Sequence, residues 1–164
     1  MNFAAEREQF DRFIFVIENQ LEVLEEKAES LGFTLTRDMS SLEKLEEFFE
    51  MLTTNSSREE KNGLSVTFGR YLGEIVIETF GGKWHLPLDD KKNINFNTPV
   101  VVGHTDIEGL EFPALGVMHA FSLRKKTGLL RGAVMSQVEP KAVDIDHLEE
   151  KCRALLDTHI PIKR

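Results

Sequence analysis

The 164-residue chain has a single cysteine, Cys152, so no disulfide can close within it. That usage fits a reducing compartment. It also lacks any long apolar run. Near the N-terminus the longest is Phe13 to Ile17, far short of the roughly 20 residues that a membrane span requires. The opening MNFAAEREQF carries charges where a secretory signal would place its apolar core. A soluble, cytoplasmic protein without membrane association is expected. No P-loop, HExxH, GxSxG, paired CxxC or GxGxxG is present, so the reaction classes that announce themselves by these motifs lose their main support. Basic residues are scarce in the first third. Residues 1–60 hold 15 acidic against 6 basic side chains, a balance of −9, whereas residues 61–164 hold 13 and 14, a balance of +1. Nucleic-acid affinity rests on Lys and Arg displacing counterions, so this front region should not bind a phosphate backbone. The cluster Arg124–Lys126 is too short to change that, and reads as cations at a helix C-terminus.

What is present is mostly helical periodicity. One domain over residues 1–164 is expected, large enough to bury roughly 68–70 per cent of its unfolded surface without a metal or other cofactor. From Ala4 to Leu31, the positions Phe10, Ile14, Ile17, Leu21, Leu24, Ala28 and Leu31 alternate in spacings of four and three, a heptad seam on one long helix ending at Gly32. Such a helix would be about 42 Å long. Its seam either enters a bundle core or joins two copies as a homodimer. Ser40 to Glu43 has capping-box spacing before a helix running to about Thr53, with Leu42, Leu45, Phe48, Phe49 and Leu52 on its apolar face. Ser56 to Glu59 repeats the box before a third helix. That helix crosses Asn62-Gly63, a turn-prone pair that weakens or divides it.

The stretch FGRYLGEIVIETFGGKWHL, residues 68–86, then joins helix to strand. At 100° per residue only Arg70, Glu74 and Glu78 form a polar stripe, and Gly69 and Gly73 lie on a second packed side, so a central helix with a close neighbour is expected. Gly81-Gly82 ends it. Lys83 to Leu86 alternates as a strand with Trp84 and Leu86 inward. Thr98 to Gly103 is a second β-branched run, pairing with the first across the polar DDKKNINFN. Phe112-Pro113 opens a helix to about Lys125, Thr127 to Val138 forms another, and Asp144 caps a last one bearing Leu148, Cys152, Leu155 and Leu156. The expected fold class is therefore mainly helical α+β, a helical bundle with one small antiparallel β-hairpin. Its parts are an acidic helical front (1–60), a central helix and hairpin (57–104) and C-terminal helices (112–158).

Few residues here point to chemistry. His104, Asp106 and Glu108 would share one side of an extended chain, offering nitrogen and oxygen ligands to a metal, but three local ligands without a distant fourth seldom make a tight site and a solvated turn is the expected reading. Glu74 on a central helix is a candidate general acid or base, but Arg70 and Glu74 at i, i+4 also make an ordinary ion pair. Arg70, Glu74, Glu78 and Trp84 are the candidate interaction residues. The segments YLGEIVIETFGGKW (71–84), PVVVGH (99–104) and FPALGVMHAF (112–121), within a similarity over about residues 64–121, resemble a family of uncharacterised bacterial proteins with a helix ending in YLGE and GGxW, a strand and a Phe-Pro helix. The resemblance implies a small bacterial cytoplasmic protein and carries over no catalytic residue. The leading expectation is a non-enzymatic protein-interaction module, immunity-like or adaptor-like, holding a basic protein partner on the face of Glu22, Glu25, Glu26, Glu29, Glu43, Glu46, Glu47 and Glu50. The alternative is a small-ligand-binding protein or hydrolase using Arg70, Glu74 and the His104–Glu108 loop.

Overall fold

The computed structural model of the protein describes residues 2–138. The expected helix capped by Asp144, with Cys152, lies outside the described residues. In chain order these residues form α1 (Ala4–Phe15), α2 (Ile17–Ser30), a 3₁₀ turn (Met39–Ser41), α3 (Leu42–Thr53), α4 (Arg58–Phe80), β1 (Lys83–His85), β2 (Val100–Val102), α5 (Ala114–Arg124) and α6 (Leu129–Val138). The fold is mainly helical α+β with one two-stranded antiparallel sheet. Among the described residues no helix is long and apolar enough to cross a membrane.

The front helix is not continuous from Ala4 to Leu31. It is divided at Val16, a single turn residue whose φ of −90° and ψ of −5° lie at the edge of the helical region, although its amide still donates to the Arg12 carbonyl at 3.3 Å and its carbonyl accepts from Gln20 at 3.0 Å. A straight helix drifts about 20° per heptad from a strict seven-residue repeat, so one seam cannot keep both ends on a core. Accordingly Ile17, Leu21, Leu24 and Ala28 are buried within the chain, while Ile14 and Leu31 are exposed and Phe13 takes the buried place in α1.

Caps shift for similar reasons. Ser40 and Glu43 form no capping box: Asp38 accepts the Ser40 amide at 3.0 Å, and Glu43 turns to Arg131. The second box forms one residue later than Ser56–Glu59. Ser57 Oγ accepts the Glu60 amide at 3.1 Å and the Ser57 amide donates to Glu60 at 3.5 Å. From that start α4 runs 23 residues, undivided by Asn62-Gly63. It buries Phe68, Tyr71, Leu72, Ile75 and Val76, and tertiary packing on both sides outweighs the propensity loss at Gly63.

α4 is the central element, packed along α5 on its glycine side and on α2 and α3 on the other. A Cβ at Gly69 would lie 2.6 Å from Leu115 Cδ2 and 3.1 Å from Leu115 Cα, so α5 approaches the α4 backbone closely there. At Gly73 the occupant is the Trp84 ring, whose Cζ2 and Cη2 would collide with any Cβ. Phe33, Phe48, Phe68, Phe49 and Phe121 link the remaining layers, with successive ring centroids 5.5, 5.4, 5.1 and 6.1 Å apart. β1 and β2 pair in register Lys83↔Val102, Trp84↔Val101 and His85↔Val100. Val101 also exchanges backbone hydrogen bonds with Phe112, which ties the short sheet to the start of α5.

Candidate functional site

Around Arg70 the structure builds a cluster that sequence spacing did not show. Arg70 and Glu74 do not pair. The order Arg then Glu along a helix is the weaker one for an i, i+4 contact, and each side chain finds another partner. Trp84 comes over from β1, and its indole N–H donates to Glu74 Oε2 at 2.7 Å. The Trp84 ring meets Phe13 edge-on at 5.0 Å. Phe13 in turn carries the Arg70 guanidinium 4.2 Å above its centroid, while Arg70 Nη1 donates to Gln20 Oε1 at 2.8 Å. Burial pulls Arg70 below the ordinary guanidinium range. Burial also raises the Glu74 carboxyl, against the lowering effect of the Trp84 hydrogen bond, with Glu78 adding to the rise. Glu78 itself is exposed.

Phe10, Phe13, Val16, Leu86 and Pro99 line an adjoining cleft of about 400 Å³, with Arg70 in its wall. Sequence reasoning passed over this cleft because its sides come from α1, α4 and both ends of the loop between the strands.

The His104 loop is organised differently from an extended ligand strand. His104 is 4% exposed, and its Nε2 lies 2.7 Å from Gln137 Oε1. Since Gln137 Nε2 donates to the Glu111 carbonyl at 2.8 Å, its oxygen must accept, which makes His104 Nε2 the protonated nitrogen. His104 Nδ1 is buried with no partner among the described residues. Asp106 and Glu108 are exposed, because the chain turns at Thr105, whose Oγ1 accepts the Ile107 amide at 2.8 Å. Among the described residues no three His, Cys, Asp or Glu side chains converge to hold a metal ion. Glu111 went unremarked in the sequence. Its two oxygens accept from Asn93 and Asn95 at 2.9–3.0 Å and hold the loop between the strands.

The expected continuous acidic face is cut down by tertiary contacts. Glu46 is 3% exposed and accepts the amides of Gly128 and Leu130 at 2.9 and 3.0 Å, capping α6. Glu43 is forked by Arg131, and Glu25 by Arg37 and by the Tyr71 hydroxyl at 2.8 Å. Burial, then Glu25, pushes the Tyr71 hydroxyl well above its usual range. Glu50 keeps one oxygen buried. Glu22, Glu26, Glu29 and Glu47 remain exposed.

Next to the first three lies a second feature absent from the heptad reading. Val23, Leu24, Leu52 and Leu64 line an apolar groove of about 430 Å³ between α2, α3 and α4, with Lys27 and Thr67 on its rim. Val23 stands 58% exposed at the lip. The only signal in the sequence was an apolar residue off the seam. No protein-family model matches the chain, and neither a curated protein nor a solved structure matches it.

Proposed function

We propose that this protein is a non-enzymatic interaction module that seats an amphipathic helix of a basic protein partner in the groove between α2, α3 and α4. The observation that carries the reading is the exposed Val23 at the lip of an apolar groove, on a helix where Glu22, Glu26 and Glu29 are exposed. At about 100° per residue, Glu26 and Glu22 stand next to Val23 on the side facing away from the groove. An apolar helix face fits Val23, Leu24 and Leu64, and flanking Lys or Arg residues meet Glu22, Glu26 and Glu29. An immunity protein or an adaptor needs no more than such a face. The hydrolase alternative has less support, since Glu74 is held by Trp84, His104 by Gln137, and Asp106 and Glu108 point to solvent.

The test uses labelled synthetic helices with one apolar stripe and either basic or acidic flanks, titrated against the full chain by fluorescence anisotropy. The basic helix is expected to bind, to weaken as salt rises toward physiological levels, and to weaken about tenfold or more on Val23→Glu, as for a central contact residue. Equal binding of the acidic helix, or indifference to Val23→Glu, refutes the reading.

A further inference from the structure

Three arginines are tied into the helical body, and they differ along one edge. Arg37 places Nε and Nη2 on the two oxygens of Glu25, both at 3.0 Å. Arg131 does the same with Glu43 at 3.0 and 2.8 Å. This fork is the geometry in which a guanidinium holds a carboxylate best. Arg70 leaves the same edge unused. Its Nη1 goes to Gln20, its face lies over Phe13, and its Nε is buried without a partner among the described residues. No carboxylate of the described residues pairs with it either. Arg70 as a whole is half-buried, but a desolvated part of a charged group is ordinarily paired, because desolvation is only offset by an opposite charge in good geometry.

The remaining charges of the adjoining cleft narrow the choice of ligand. Arg12 is occupied by Glu8 at 2.8 Å, and Glu6 adds a negative charge. A single guanidinium balances one negative charge, so a dianion such as a phosphate monoester would keep an unbalanced charge in a partly desolvated site beside Glu6. The walls from Phe10, Leu86 and Pro99 are apolar, and about 400 Å³ lies in the size range of small-molecule sites.

We propose that this cleft binds a small monocarboxylate with an apolar body, its carboxylate forked by the Nε and Nη2 edge of Arg70 and its body held against Phe10, Leu86 and Pro99. Nε lies beneath the cleft surface, so completing the fork turns the Arg70 side chain and gives up the Gln20 bond. The site meets the groove at Gln20, which lines the groove, but the proposal does not rest on the interaction reading.

The full chain is titrated with benzoate and hexanoate, with benzamide and hexanamide as neutral matches, and with inorganic phosphate. Binding is read by fluorescence of Trp84, the only tryptophan, whose ring touches Phe13, and by the ¹⁵N resonance of Arg70 Nε. At least one acid is expected to saturate with a Kd of about 1 mM or tighter, and to shift the Nε signal. The amides and phosphate should bind at least about tenfold more weakly. Arg70→Met should abolish binding while Arg58→Met, on the exposed first turn of α4, leaves it unchanged. Should Arg70→Met fail to fold, the wild-type Nε shift with acid but not amide decides the question. Saturation by neither acid, equal binding of amide or phosphate, binding that survives Arg70→Met, or binding without an Nε shift overturns the proposal.

Discussion

Replacing Gly73 by Ala tests the central joint more directly than any polar substitution. The new methyl group would be placed inside the Trp84 ring, on a residue held at three points: by β1 pairing, by the Phe13 edge and by the bond to Glu74. Overpacking of this kind costs about 1–3 kcal/mol. If the indole lifts away, its hydrogen bond to the Glu74 carboxylate goes too, another 1.5–3 kcal/mol or so. Alanine returns about 0.5–1 kcal/mol over glycine in a helix interior. With the indole displaced, the net is a destabilisation of about 1.5–5.5 kcal/mol, a large part of the roughly 5–15 kcal/mol that holds a domain of this size. The same helix supplies the control. A Cβ at Gly63 meets nothing within 4 Å, so Gly63→Ala should stabilise by about 0.5–1 kcal/mol. Gly69→Ala falls between, because the Leu115 side chain can give way and its backbone cannot. Urea unfolding followed by far-UV circular dichroism and by Trp84 fluorescence orders the three. If Gly73→Ala is as stable as Gly63→Ala, the indole does not sit on the glycine face and the joint is misread.

Three further outcomes follow from named contacts. Glu46→Ala leaves the Gly128 and Leu130 amides of α6 without their acceptor and should lower stability by about 2–3 kcal/mol in denaturant titration, with Glu46→Gln losing less. Glu74 is raised in the folded state by burial; its contribution is fully present below its unfolded pKa and is lost as pH rises through the folded one. Glu74→Gln, which still accepts from Trp84, should therefore gain stability over wild type at pH 7 and lose that gain near pH 4; melting temperatures at the two values check the sign. Ser57→Ala removes the α4 cap and should cost about 1 kcal/mol, with the loss of protection in amide exchange confined to the first turn of α4.

What could be read along the chain alone was whatever depends on neighbours three or four residues away. The end of α4 at Gly81-Gly82, its polar stripe, its glycine side, the inward Trp84 and the antiparallel pairing of two short β-branched runs are all local patterns that burial then enforces. The concentration of carboxylates in residues 1–60 is equally a property of the chain. Which of those carboxylates stay free is not, because Arg37, Arg131 and the α6 amides reach Glu25, Glu43 and Glu46 from far along the sequence and remove them from the surface. Only packing could interrupt the front helix at Val16, bring Phe13 rather than Ile14 inward, and set Arg70 over an aromatic ring instead of beside Glu74. The His104 loop fails as an extended ligand strand for the same reason: the buried imidazole answers to Gln137 on α6, a contact 33 residues away. Helix and strand periods arise from short-range geometry, whereas charge partners and clefts are set where distant segments meet, and there a desolvated group takes whatever partner the fold brings within reach.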